Sequence, residues 1–220
     1  MRKRDLLCGL LCLVVFVAAA TWLSFAYRRH NATVAQKFNR TLGERLRSRL
    51  LDGTGKELSG EDFKNAKMRG VVLQRPGNAF QRANFSSAEL DQSTLEAGAG
   101  SFQLACFDNS SIKNAQLIGG GASFQVASFD SADLSGTSLE GNFQLASFQN
   151  AVLRDSTLHG SFQGCDISGA DFSGADLTGI NRNSLESCYF SVPPAFSSET
   201  IFPPGFSPGI QGWQRSPPPQ

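Results

Sequence analysis

From residue 80 to residue 177, large apolar residues return every five positions in groups of four. The centres are Phe80, Phe85, Leu90, Leu95, then Phe102, Phe107, Ile112, Leu117, then Phe124, Phe129, Leu134, Leu139. Phe143, Phe148, Leu153, Leu158 and Phe162, Ile167, Phe172, Leu177 continue the series, and Leu58, Phe63, Met68, Leu73 form a weaker group before it. Two residues before the centre, nineteen of the twenty main repeats carry Ala, Gly, Ser, Thr or Cys, Asn78 being the exception. A period of five fits neither the 3.6 of a helix nor the 2 of a strand. It predicts a chain that turns a corner after every five residues. Centre and small residue then point inward together, and four sides close one coil. No coil can bury its centres alone, so the stack itself makes the core.

The corner between the fourth and first sides breaks the period. It takes seven residues from Leu73 to Phe80, Leu95 to Phe102 and Leu117 to Phe124, but four from Leu139 to Phe143 and Leu158 to Phe162. Coil lengths are therefore 22, 22, 22, 19 and 19 residues. Gly98-Ala99-Gly100 and Gly119-Gly120-Gly121 lie at the long corners, where unusual backbone angles are tolerated. The first side carries its own signature, Phe-Gln-x-(Ala/Cys). Its Gln81, Gln103, Gln125, Gln144 and Gln163 are expected to stack into an outward amide ladder that stabilises the wall. The next position holds Leu104, Val126 and Leu145 on successive coils. These form either an exposed strip for a protein partner or a corner twisted inward.

Ala132-Asp133-Leu134-Ser135-Gly136, Ala170-Asp171-Phe172-Ser173-Gly174 and Ala175-Asp176-Leu177-Thr178-Gly179 resemble the pentapeptide-repeat family, whose unit is Ala-(Asp/Asn)-(Leu/Phe)-x-x. The resemblance implies an all-β solenoid, a right-handed quadrilateral β-helix of about six to seven coils over residues 56–190. The family's usual polar or small residue is replaced at Leu104, Val126 and Leu145.

The flanks differ from this body. After a basic n-region, residues 1–5, the stretch 6–27 has no charge and as a helix spans about 33 Å, enough for a bilayer core of about 30 Å. It is expected to be a transmembrane anchor. A cleaved signal segment, with Ala18-Ala19-Ala20 at its cleavage site, would instead release a secreted solenoid. Basic residues on both sides leave its orientation open. Residues 28–55 read as a short basic amphipathic juxtamembrane helix with Val34, Phe38, Leu42, Leu46 and Leu50 every four residues. It suits a cap over the first coil, or a face lying on anionic lipid. Leu185 and Phe190 look like the first sides of a seventh, incomplete coil. Cys188 would then stack over Cys165, as paired thiols or a disulfide. Residues 191–220 hold eight of the nine prolines and form a tail, either folded back over the last coil or disordered.

Charge completes the picture. Residues 1–55 have ten basic and three acidic side chains, a balance of +7, while residues 56–190 have nine and fifteen, a balance of −6. No convergent set of catalytic groups, metal-ligand spacing or phosphate loop stands out, so neither enzymatic activity nor a cofactor is expected. The sequence points to a membrane-tethered structural or protein-interaction scaffold with an unidentified protein partner. Nucleic acid is not an expected partner. Through the family resemblance, the alternative is an acidic DNA mimic that binds a topoisomerase. Residues 78–179 carry eleven acids against three bases, a moderate excess for such a role.

Overall fold

The structure, a computed structural model, describes residues 60–75 and 80–216. The expected anchor (6–27), the basic helix (28–55) and Leu58 lie outside the described residues. Among the described residues no helix is long and apolar enough to cross a membrane.

The chain winds as a β-solenoid of about seven turns, every neighbouring rung parallel. Its fourth side is built from β1 (Val72–Arg75), β2 (Thr94–Ala97), β3 (Gln116–Gly119), β4 (Ser138–Asn142), β5 (Thr157–Ser161) and β6 (Asp176–Ile180), hydrogen-bonded in that order. Leu73, Leu95, Leu117, Leu139 and Leu158 are in register along it. The second and third sides are single bridges, such as Asn84 to Cys106 to Ser128 and Glu89 to Ser111 to Asp133. On the first side the Phe80 N–H donates to Ser101 O, and Phe102 N–H to Ser123 O. One inward centre per side explains why five residues suffice: three make the wall and two make the corner.

The core consists of these centres. Phe80, Phe102, Phe124 and Phe143 stack on the first side with ring centroids 4.7–5.0 Å apart. Phe63, Phe85, Phe107, Phe129 and Phe148 do the same on the second side at 4.8–4.9 Å. All of these rings are buried. Burying one Phe contributes about 1.5–3 kcal/mol, and each ring pair adds about 0.5–1.5 kcal/mol. Leu and Ile fill most of the two remaining sides, with small Ala, Ser and Thr beside the centres at the bends.

The first side departs from the expected pleat. At the long corners the buried small residue is Ser101 or Ser123, directly before the phenylalanine, and not the residue two before it. The three extra residues form a turn in which Ser101 N–H donates to Gly98 O and Ser123 N–H to Gly120 O. That turn rotates the chain by one residue as it enters the side. At the short corners β4 and β5 run straight through the edge. Gly160 is needed there, because at φ +116° a Cβ would lie 1.8 Å from Gly141 O.

The last turn also differs from its expected form. The register shifts between β5 and β6, pairing His159 with Gly179. Ile180 is buried, and Asn181 caps helix α1 (Arg182–Glu186) by accepting from the Asn183 N–H. Leu185 points into the core as expected, but from a helix and not from a strand. The peptide N–H groups of Phe162 and Gly164, which lower coils pair with carbonyls, donate to Ser184 Oγ and Ser187 Oγ. The wall then runs past residue 190. Tyr189 pairs with Asp166, Ala195 with Asp171 and Ile201 with Asp176. β7 (Ala195–Phe196) pairs in turn with β8 (Gln214–Arg215). Trp213 lies 5.1 Å from Phe172 and packs edge-on against Phe202 and Phe206, so the Pro-rich segment closes this end of the core.

Candidate functional site

Every corner after the first, second and third sides is a four-residue turn. On the second coil Ala83 N–H donates to Phe80 O, Ala88 to Phe85 O and Ser93 to Leu90 O. The third residue of each has positive φ, the backbone of a type II turn, which favours Gly or Asn. Two corner columns hold Gly or Asn at eight of twelve places and a polar residue at the rest, namely Asn65, Ser87, Asn109, Ser131, Asn150, Gly169 and Gly70, Gln92, Asn114, Gly136, Asp155, Gly174. The column after the first side reads Gly60, Arg82, Leu104, Val126, Leu145, Gly164.

Leu104, Val126 and Leu145 have φ of 61°, 58° and 60° and are 43%, 47% and 60% exposed. The corner therefore does not turn them inward. A left-handed conformation costs an L-residue about 1–2 kcal/mol, and a β-branched residue is an outlier there. The three side chains combine strained backbone with apolar surface left in water. Their main chains are fixed by the wall: Leu104 N–H donates to Gln125 O, Val126 to Gln144 O and Leu145 to Gln163 O. Gly164 ends the row, since a Cβ there would lie 3.0 Å from Leu145 Cδ2.

The amide ladder runs along one flank. Gln81 Nε2 donates to Gln103 Oε1 at 2.8 Å, Gln103 to Gln125 at 3.4 Å, Gln125 to Gln144 at 3.1 Å and Gln144 to Gln163 at 3.4 Å. Cys106, Ser128 and Ser147 line the other flank on the second side, with Asp108 and Asp130 beyond them. Ser128 Oγ donates to Asp108 Oδ1 and Ser147 Oγ to Asp130 Oδ1. The N–H groups of Asp130 and Gln149 donate to the same two oxygens at 3.2 and 3.1 Å.

Four acids elsewhere on the wall are paired with bases. Lys113 binds Asp133 at 2.8 Å, Arg154 binds Asp171 at 2.6 Å, and Lys67 and Arg69 approach Glu89 and Asp91 at 3.6 Å. Burial pushes the Asp133 carboxyl up, but Lys113 and the Ser135 hydroxyl and N–H outweigh it and leave it below the ordinary range. Asp171 is lowered likewise, against burial, by Ser173 and Arg154. Asp176 is lowered chiefly by the Thr178 hydroxyl and N–H. Cys165 and Cys188 stand as free thiols. Burial, reinforced by the neighbouring Cys188, pushes the Cys165 thiol well up, which makes it a poor nucleophile. His159 is exposed on β5. Among the described residues no cluster of three potential metal ligands occurs.

The sequence names the three apolar residues and the five glutamines. It does not reveal that the column is left-handed. The Asn, Ser, Gly and Asp at the matching places of the other two corners carried that signal.

Residues 142–181 match the family model for pentapeptide repeats in eight copies. Among curated proteins none matches the chain. Similar solved structures include a trypsin-treated variant of QnrB1, a plasmid-mediated fluoroquinolone resistance protein. It is 20% identical over 73% of this chain and 77% of that chain, with a TM-score of 0.39. HetL of Nostoc sp., involved in heterocyst differentiation regulation, is 16% identical over 73% and 90% at a TM-score of 0.26. A protein of the Arabidopsis thaliana thylakoid lumen is 22% identical over 60% and 72% at a TM-score of 0.24. None of these likenesses assigns a partner. With one turn per five residues and the match over residues 142–181, the chain contains pentapeptide repeats.

Proposed function

We propose that this chain is a non-enzymatic scaffold, tethered to a membrane through residues 6–27, on which a protein partner docks along Leu104, Val126 and Leu145. The observation that carries it is the left-handed, exposed apolar column, which disfavours the folded state at three successive coils. The tether rests on the uncharged run from Leu6 to Tyr27.

Membrane fractionation with N-terminal sequencing tests the tether. A full-length chain in the membrane fraction supports it, and a mature chain starting near Thr21 in the soluble fraction overturns it. A photo-crosslinking residue at position 126 of the full chain tests the strip. Adducts that form there, but not at the equivalent corner position 150, and that vanish in Leu104→Ser/Leu145→Ser, are expected. Equal yields at 126 and 150 would exclude a docking strip.

A DNA-mimicking, topoisomerase-binding role is the alternative, and the charge arrangement does not favour it. A mimic needs rows of unpaired acids. Here Glu89, Asp91, Asp133 and Asp171 each lie against a lysine or arginine, and the unpaired stack of Asp108 and Asp130 is only two acids long, followed by Gln149. No change in gyrase supercoiling at micromolar protein is the expected result.

A further inference from the structure

We infer that the occupant of the strip is an amphipathic α-helix of a separate protein, lying along the solenoid axis with its apolar row on Leu104, Val126 and Leu145. Basic residues border that row on the side facing Asp108 and Asp130. This inference rests on the docking role proposed above.

Spacing is the first argument. The three residues sit on successive rungs, and the rings beneath them are 4.9 and 4.7 Å apart, Phe102 to Phe124 and Phe124 to Phe143. The row therefore spans two rungs, about 10 Å. A helix places apolar residues at i, i+3 or i+4, and i+7 along one face, and seven residues rise about 10.5 Å. An extended strand presents a side chain to one face every about 6.7 Å, so three contacts need about 13 Å and fall out of step by the third. A polyproline helix repeats at about 9.3 Å and meets only the ends of the row. Val126 is shorter than the leucines on either side, so the middle of the row is its lowest point. The central residue of the helix has room there.

Charge is the second argument. Asp108 and Asp130 each use Oδ1 to accept a serine hydroxyl and a backbone N–H. Among the described residues no lysine or arginine forms an ion pair with either. Asp91, Asp133 and Asp171 do have such a partner, whereas Asp166 and Asp176 accept from Ser168 and Thr178. What distinguishes Asp108 and Asp130 is that they stack on successive coils beside the strip. The opposite flank is the neutral amide ladder. A lysine or arginine on a helix seated at the corner reaches across Cys106, Ser128 and Ser147 to these carboxylates. An acidic flank would be repelled. The surface thus distinguishes the two edges of its partner, positive toward the aspartates and polar but uncharged toward the glutamines.

The test places a photo-crosslinking residue at 104, 126 or 145 of the full chain in its native cells and maps each adduct by mass spectrometry. The expected result is one partner segment, with the three adducts centred at i, i+3 or i+4, and i+7 and basic residues beside them. Asp108→Asn/Asp130→Asn keeps the acceptor oxygens and removes the charge. It should lower adduct yield about two- to tenfold, with a milder salt dependence than wild type. Adducts at alternate residues of an extended segment, or on this chain's own residues, would overturn the helix while leaving the strip a docking surface. A yield indifferent to the double substitution would remove the basic flank. Absence of any adduct at all three positions would remove the strip itself.

Discussion

Phe124 and Phe143 stack with ring centroids 4.7 Å apart and planes 3° from parallel, across the step where coil length falls from 22 to 19 residues. The deletion is absorbed wholly at the edge between the fourth and first sides, where β4 runs through and the corner turn disappears. The core is indifferent to the corner because the centres alone set the stacking distance. Truncating either ring in Phe124→Ala or Phe143→Ala should therefore cost about 3–5 kcal/mol, read as a lower melting temperature and faster proteolysis. Phe143→Leu should cost less, since leucine and isoleucine already occupy equivalent centres.

The corner column predicts a gain from substitutions that reduce apolar surface. Val126→Gly or Leu104→Asn relieves a left-handed conformation at an exposed place, and stability should rise by up to about 1 kcal/mol. Thermal denaturation of the single variants checks this. A marked loss would mean that these side chains belong to the core. The same variants should lose the partner, a trade of function against stability.

Ser93 and Ser123 are buried with no hydrogen-bond partner for their hydroxyls, whereas Ser110 and Ser156 donate to Phe107 O and Leu153 O at 2.6 Å. Ser93→Ala removes an unsatisfied group at a place where Ala115 sits one coil higher, so it should stabilise by about 1 kcal/mol. Ser110→Ala should be neutral or destabilising. Paired chemical melts of the two variants distinguish a missing bond from a generic preference for alanine.

Acid sensitivity follows from Asp133, Asp171 and Asp176, whose carboxyls are held below their ordinary range. These groups bind protons less tightly folded than unfolded, so unfolding takes protons up. Their contribution is full above about pH 4 and is lost as pH falls through the lower native values. Melting temperature should fall below about pH 4. Asp133→Asn and Asp171→Asn should flatten that fall, and an unchanged slope would show that the carboxyls are not selectively stabilised in the fold.

The repeating part of the fold was legible because each side must bury one large residue. The centres, the step in coil length and the two phenylalanine sides follow from that requirement. Local competition hid the rest. Ser101 and Ser123 turn inward because the extra corner residues hydrogen-bond among themselves, which a count of five does not register. Asn181 starts helix α1 by capping it, so Leu185 reaches its place without a strand. Prolines beyond residue 190 disfavour a regular strand or helix. A rung needs only a few wall bonds, and Pro194 O can still accept one from Gln214 N–H. The three strip residues stand out by composition, but their strain is visible only in the backbone.

The amide ladder has one more consequence. Each Nε2 from Gln81 to Gln144 donates to the glutamine of the coil above, so the side-chain amides share one sense from residue 81 to residue 163. The backbone bonds of the first side run the same way, with Phe102 and Leu104 N–H donating to Ser123 O and Gln125 O, and Phe124 and Val126 N–H to Asn142 O and Gln144 O. Five amide groups, each with a dipole of about 3.5 D as in a peptide unit, add into a vector along the solenoid with its positive end toward Gln163. The first side is therefore electrically polarised as well as flat, and it presents one direction of approach as different from the other.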